Sequence, residues 1–241
     1  MVQKYPFSFP LTSREIQIKR ASILSMLLRT DAGFCSIPVK EIQVSSLYQM
    51  LRSYDDLFFS GFLSKSLGNL SVSLSTRLTS SAGKFIFVKG LWGRISHAEI
   101  RMSSDFLTRL TDGPFDLNGL CVSTPQEAFL VVFEHELCHA VEAVLFGKTG
   151  HSQRFMAIAN GIFGHTKTRH SLPTRRQEAA QNGLTLGRQV CFIHRGHTLC
   201  GVISYIGKTA TVMVPSSDGD YRDRHGRRYT KYRVPIEQLK I

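Results

Sequence analysis

Residues 133–155, FEHELCHAVEAVLFGKTGHSQRF, hold a His-Glu-x-x-His pattern in a long apolar run, followed by Gly150 and His151. Positions four apart lie on one face of a helix, so His135 and His139 can direct two imidazoles at one ion. Glu136 projects beside them, within reach of a water at that ion. Imidazole nitrogens in a tetrahedral set suit Zn²⁺. The pattern therefore predicts one zinc ion per chain, with Glu136 as a general base.

A third protein ligand is expected because a catalytic zinc has three such ligands and one open position. His151 lies twelve residues after His139, beyond the helix-ending Gly147 and the turn KTG. A reversal of that length can return His151 to the ion. His165 and His170 are rivals, but both follow a second predicted helix. The predicted ligands are His135, His139 and His151.

The helix that carries the pattern has its own start and stop signals. Thr124 can cap it, Pro125 suits the first helical position, and Glu127 completes a capping box. The helix is predicted to run through Phe146 and to end at Gly147. A His-Glu-x-x-His pattern also arises by chance on helix surfaces. Here the run is so apolar that unpartnered polar side chains would be costly, which favours a metal site.

Hydrophobic periodicity predicts the elements around this helix. Residues at helical spacing predict further helices, one of them capped by Ser45, and period-two alternation predicts a small antiparallel sheet. From Gly187, short apolar segments separated by turns predict a small closed barrel. The fold class is therefore α+β, followed by a small all-β barrel. The predicted helices cover 12–30, 45–59 and 152–163, and the predicted strands cover 69–76, 84–88 and 98–103.

The composition is typical of a soluble globular protein. Hydrophobic residues make up 42% of the 241 residues, no run of 18 apolar residues occurs, and the N-terminus lacks the apolar core of a signal peptide. We therefore expect an intracellular protein without a membrane partner, nuclear in a eukaryote or cytoplasmic in a bacterium. The five cysteines include no Cys-x-x-Cys pair, which predicts reduced, mostly buried thiols and excludes a cysteine zinc ribbon.

The net charge of +12 is concentrated near the C-terminus. Residues 165–241 hold 14 Lys and Arg against 5 Asp and Glu, a net of +9. This balance favours a polyanionic partner, nucleic acid first, although a merely solvated basic surface would look the same. In 220–233, basic residues alternate with tyrosines that can stack on bases. The candidate nucleic-acid-binding residues are Arg222, Arg224, Arg227, Arg228, Lys231, Arg233 and Tyr229.

Several segments together resemble one protein family, the SprT-like zinc metalloproteases, to which bacterial SprT and the eukaryotic protease Spartan belong. The resemblance runs in family order over 45–165 and implies a zincin-type metalloprotease domain over 1–165. Residues 187–241 resemble a Tudor- or KOW-type barrel, joined through a linker at 166–186. The matching stretches are YDDLFFSGFL (54–63), SVSLSTRLTSSAGKF (71–85), EIRMSSDFL (99–107) and HELCHAVEAVLFGKTGHSQRF (135–155).

The resemblance implies a zinc-dependent metalloendopeptidase with Glu136 as the catalytic base and the three histidines as ligands. It also implies DNA-bound or DNA-crosslinked proteins as substrates, and hence DNA as a partner and a role in DNA repair. Substrate is expected to add as a strand along a sheet edge, for which 98–103 is the candidate. The alternatives are a nucleic-acid- or chromatin-binding protein with a structural or vestigial zinc site, and a general metalloprotease without a nucleic-acid link.

Overall fold

The computed structural model describes residues 5–39, 41–111, 113–168 and 172–241. The chain divides into two compact units between Leu172 and Pro173. Each unit has its own hydrophobic core. Within the described residues, every helix is too short or too polar to cross a membrane.

Among the described residues, six α-helices build most of the first unit. α1 and α5 both start with a complete capping box, at Thr12 and Thr124, and α5 ends at Gly147 in the left-handed conformation, as the sequence predicts. The cap predicted at Ser45 is wrong: α2 begins one residue earlier, and Gln43 precedes it without a side-chain cap. The helices are α1 Ser13–Thr30, α2 Val44–Phe59, α3 Phe62–Ser66, α4 Ser104–Arg109, α5 Pro125–Phe146 and α6 Gln153–Phe163.

A three-stranded sheet packs against these helices. It contains β1 (Leu70–Ser75), β2 (Gly83–Lys89) and β3 (Ile95–Ser103) in the order β1-β3-β2. β3 pairs with β1 in parallel and with β2 antiparallel, so the prediction of an antiparallel sheet is wrong for one pair. The segment 98–103 lies in the central strand because β3 inserts between the two earlier strands. It therefore offers no free edge, and the edges belong to β1 and β2.

A short hairpin completes the first unit. β4 (Phe115–Leu117) and β5 (Leu120–Val122) are joined by Asn118 and Gly119, both at positive φ. This is the two-residue connection that Asn-Gly favours.

The second unit is an open antiparallel sheet and not the closed barrel predicted. Its strand order is β6-β7-β8-β10-β9, and β9 pairs over only two residues. The free edge of β6 meets the end of the chain through one bridge, Cys191 with Lys240, which is too little pairing to close a barrel. The strands are β6 Gln189–His194, β7 His197–Ile206, β8 Thr209–Pro215, β9 Tyr221–Arg222 and β10 Arg228–Pro235.

The segment 166–186, predicted as a linker, contains a helix. α7 (Arg175–Gln181) starts with a capping box at Thr174. Its Ala179 is buried in the core of the second unit. This part of the segment is therefore an element of that unit, because its apolar face has a core to pack on.

The prediction of reduced thiols is wrong for one pair of cysteines. Cys191 and Cys200 form a disulfide across β6 and β7, with their Cα atoms 4.1 Å apart. The reason is the hairpin register: a two-residue turn pairs His194 with His197, which aligns the two cysteines three residues further on. The other thiols are free, and only one of them is buried: Cys138 is buried, whereas Cys35 and Cys121 are exposed.

Candidate metal centre

The structure brings the three predicted ligands together. α5 presents His135 and His139 one turn apart, and the loop after Gly147 returns His151 to them. One nitrogen from each ring lies within 4.8 Å of the other two. His135 Nε2 and His151 Nε2 are 3.0 Å apart. Three imidazole nitrogens converging in this way form a donor set that fits Zn²⁺ and leaves a position open.

Thr149 orients one of the ligands. Its Oγ1 lies 2.6 Å from His139 Nδ1, which leaves His139 Nε2 to face an ion. Burial, and then the neighbouring His151, lower the pKa of His139 to about 4. His139 is therefore neutral at ordinary pH, the form that binds a metal. The sequence reasoning missed Thr149, since a loop threonine carries no spacing signal of its own.

Glu142 holds the loop that carries His151. This carboxylate is buried on α5, and its Oε2 accepts a hydrogen bond from the Gly150 backbone N–H at 2.9 Å. Ser152 Oγ lies 3.4 Å from its Oε1, and Arg154 Nε lies 3.8 Å from the same oxygen. Glu142 was also missed. The signal that could have found it is an acidic residue on the apolar helix, one turn after His139.

Phe155 packs under the cluster. Its ring centroid lies 4.9, 4.4 and 5.2 Å from those of His135, His139 and His151. α6 begins just before it, with Ser152 as its cap. The imidazoles therefore rest on a buried aromatic ring, which limits the directions in which they can turn.

Glu136 lies beside the ligands and against the edge of the sheet. It is 5% exposed and accepts a hydrogen bond from the Phe85 backbone N–H in β2. Burial raises the pKa of Glu136 to about 8, although the Phe85 bond opposes that shift. A Cβ placed on Gly83 would come within 2.8 Å of Glu136 Oε1. The free edge of β2, rather than 98–103, is therefore the sheet edge at the candidate site.

A cleft of about 580 Å³ opens over these residues. Leu78, Phe85 and Val132 give its wall an apolar character, and Asn118 adds a buried amide. Among the described residues, Asn118 Oδ1 has no hydrogen-bond partner. A cleft with apolar walls and a few directed polar groups is typical of a ligand-binding or active site.

The rival ligand His165 belongs to a different cluster. It is fully buried, and its Nε2 lies 3.1 Å from Glu134 Oε2. Arg20 donates two hydrogen bonds of 2.7 Å to the same carboxylate, and Tyr54 donates a third at 2.9 Å. Burial alone would raise the pKa of Glu134, but Arg20 and His165 outweigh it and hold that pKa below its ordinary value. His170, the other rival, lies outside the described residues.

The candidate nucleic-acid-binding residues lie on β9, on β10 and in the turn between them, in the second unit. Some of them make hydrogen bonds in this region. Arg227 Nε lies 2.8 Å from Asp223 Oδ2, and Tyr229 Oη donates to the same oxygen at 3.2 Å. Arg228 Nε donates to the Gly219 carbonyl at 2.9 Å. These contacts fix the shape of the turn and engage the Nε–H donors of Arg227 and Arg228.

The remaining basic candidates are more open. Lys231 is exposed on β10, with its Nζ 5.2 Å from the ring centroid of Tyr221. Arg222, Arg224 and Arg233 are exposed, and Arg224 Nε lies 3.3 Å from His225 Nε2. An exposed tyrosine ring beside exposed cations is the kind of surface on which a base can stack.

One family model matches the chain. It is the model of the SprT-like family, and it matches residues 47–177, more than half of the 241 residues. The matched range contains the three clustered histidines, Glu136 and the sheet edge beside it. No curated protein matches the chain.

Proposed function

Since the chain belongs to the SprT-like family, we propose that it is a zinc-dependent metalloendopeptidase that cuts proteins bound or crosslinked to nucleic acid. The observation that carries the peptidase part is the convergence of three imidazoles with a buried carboxylate at a free sheet edge. A purely structural zinc site needs no such carboxylate, so its presence favours catalysis.

The residues of the cleft would divide the work among them. Zinc held by His135, His139 and His151 would supply the Lewis acid that polarises the peptide carbonyl and makes water more acidic. Glu136 takes the proton from the attacking water and passes it to the leaving amine. The cation would also favour the charged form of Glu136, against the burial that raises its pKa. The free edge of β2 supports binding of the substrate backbone as an added strand.

The nucleic-acid part of the proposal rests on charge. The net of +9 in residues 165–241 supports attraction to a polyanion. Lys231, Arg233 and the exposed ring of Tyr221 supply cations and a stacking surface within that range. Nucleic acid would then concentrate the enzyme near the proteins that it cuts.

The test combines both parts. The purified chain and its Glu136→Gln variant are incubated with a histone, with and without DNA. We expect cleavage by the unchanged chain only, and faster cleavage with DNA. Equal cleavage by both proteins would refute the proposal that this chain is a peptidase with Glu136 as its base. Equal cleavage with and without DNA would refute only the proposal that DNA directs the activity.

A second candidate is a general metalloprotease whose second unit binds proteins. The pairing of Arg227 and Tyr229 with Asp223 favours it, because these contacts stabilise the turn itself. For this candidate, DNA would leave the cleavage rate unchanged; salt-sensitive retention on a DNA column that is lost when the second unit is removed would count against it.

A further inference from the structure

The connection between β2 and β3 exposes large apolar side chains. Trp92 is 96% exposed, Leu91 is 86% exposed, and Val88 just before them is 52% exposed. Single exposed apolar residues are common, but three together at the end of a hairpin are not needed for the core. Contiguous exposed apolar groups mark interaction sites. We call residues 88–94 the hairpin tip.

The tip has a defined and strained backbone. The Gly90 N–H donates to the Arg94 carbonyl at 2.8 Å, which closes the turn. Trp92 adopts φ 64° and ψ 20°, in the left-handed region that a bulky side chain rarely occupies. Such strain persists mainly where function requires the conformation. The turn therefore holds the indole outward.

The charge around the tip is of one sign. Lys89 and Arg94 are exposed, and the sequence from 84 to 98 has no acidic residue. Cations contact phosphates, and an exposed indole stacks on a base of any kind. This combination fits nucleic acid with unpaired bases better than it fits an apolar protein surface, which would offer the two cations no partner.

The tip lies at one end of the edge strand of the candidate active site. β2 passes Glu136 at Gly83 and passes the end of α5 at Lys89, whose Nζ would lie 3.4 Å from a Cβ on Gly147. Six residue steps of about 3.3 Å separate Gly83 from Lys89, so the tip is about 20 Å along the strand from Glu136. Nucleic acid at the tip would therefore lie beside the cleft, on the same unit.

We propose that the hairpin tip binds single-stranded nucleic acid, with Trp92 stacked on a base and Lys89 and Arg94 on the flanking phosphates. The inference rests on the proposed function for its purpose, which is to bring nucleic acid beside the cleft. The binding itself requires no peptidase activity, so it is tested in the inactive Glu136→Gln chain.

Trp92 is the single tryptophan of the chain, so tryptophan fluorescence reports on the tip alone. The full-length Glu136→Gln protein is titrated with a 20-residue oligo(dT), and in a second arm with oligo(rU), to separate DNA from RNA. Fully paired duplex DNA and anionic lipid vesicles are the other two arms. We expect saturable quenching by an unpaired oligonucleotide and weaker quenching by the duplex.

Substitutions in the hairpin tip test whether the fluorescence change reports binding at that site. In the same background, Trp92→Ala should weaken binding of labelled oligonucleotide about 5- to 100-fold, measured by anisotropy. Arg94→Gln should lower the salt slope by about one. Tyr48→Ala is the control, since it removes another exposed aromatic ring, on α2. It should change neither the affinity for the oligonucleotide nor the salt dependence of binding. The thermal melting of the Trp92→Ala protein should be unchanged, since that side chain is almost fully exposed.

Three outcomes would overturn the inference. Oligonucleotide binding without quenching, or with undiminished affinity after Trp92→Ala, would assign nucleic acid to the second unit and leave DNA guidance intact. A blue shift with vesicles alone would make the tip a membrane contact. No response in any arm would leave the tip without this role, whatever the result of the histone assay.

Discussion

Glu136 depends on a glycine in the neighbouring strand for its position. The carboxylate is held between the Phe85 N–H and the bare backbone at Gly83. Any Cβ at that position would press on Glu136 Oε1 at 2.8 Å, and the neighbouring Glu136 Cγ at 2.9 Å leaves it little room to move. The requirement for glycine here is therefore one of space, since the backbone at Gly83 is ordinary strand.

We predict that Gly83→Ala lowers kcat/KM by about 10- to 100-fold, because it displaces the base from the attacking water. Zinc content should stay the same, since no ligand moves. Peptide cleavage and metal analysis of the variant check this. Gly68→Ala is the matched control, because a Cβ there meets nothing within 4 Å. An unimpaired Gly83→Ala enzyme would show that the position of Glu136 does not depend on a glycine at 83.

Thr149 should matter for metal affinity rather than for the fold. Thr149→Val keeps the shape of the side chain but removes the partner of His139 Nδ1. We predict a 10- to 100-fold loss in zinc affinity, the usual effect of losing a partner that orients a ligand. Competition with a chromogenic chelator measures it. Thr168→Val, elsewhere in the cleft wall, should have no effect, and equal affinities of all three proteins would contradict this role.

At the scale of elements, α5 is fixed from behind by a buried charge cluster. Glu134 lies one residue before His135 and joins Arg20 of α1, Tyr54 of α2 and His165 after α6. The bonds tie three other parts of the chain to the helix that carries the candidate site. A buried carboxylate of this kind is tolerable only while its partners remain.

Arg20→Met should destabilise the protein by about 3–5 kcal/mol at neutral pH, because it leaves Glu134 buried without its main cation. The pKa of Glu134 is lowered in the folded state, so its contribution is present above the ordinary carboxyl pKa and is lost as pH falls through the lowered value. The difference in the free energy of unfolding between the variant and the unchanged protein should therefore become smaller as the pH falls. Urea unfolding at several pH values tests this, with the exposed Arg14→Met as control; a difference independent of pH would contradict it.

The sequence predicts helices better than it predicts the sheet, for a physical reason. The start and end of α5 follow from Thr124, Pro125, Glu127 and Gly147, which act within a turn of where they stand. The order β1-β3-β2 depends on contacts between residues far apart, which no local pattern contains. The three strands were predicted from the sequence, but the edge for substrate was wrongly assigned to 98–103, which lies in the central strand. Thr149 and Glu142 were missed for the same reason, because their partners become neighbours only after folding.

At the scale of the whole molecule, the chain consists of two units with separate cores. The short strands of the second unit were predicted, but its sheet stays open and one cysteine pair is bonded. Closure depends on pairing between the first and last strands, which alternation within each strand does not encode. The register of the β6–β7 turn could have indicated the disulfide, since it sets Cys191 opposite Cys200.

Separating the units should separate the two proposed activities. A chain ending at Leu172 keeps the core, the three histidines and the hairpin tip of the first unit. We predict that it binds zinc and cleaves unstructured peptide at the rate of the full chain, but is stimulated less by DNA, because it keeps the hairpin tip and loses the basic second unit. Side-by-side rate measurements check this, with far-ultraviolet circular dichroism to verify folding. Full stimulation of the shortened chain would contradict a role for the second unit.

The central claim is that three histidines hold one zinc ion for a reaction in which Glu136 is the base. The most direct measurement determines zinc per chain and the cleavage rate of an unfolded protein substrate, for the unchanged protein and for Glu136→Gln. We expect one zinc in both proteins and a cleavage rate at least about 100-fold lower in the variant. A chain that binds no zinc, or a variant that cleaves as fast as the unchanged protein, would contradict it.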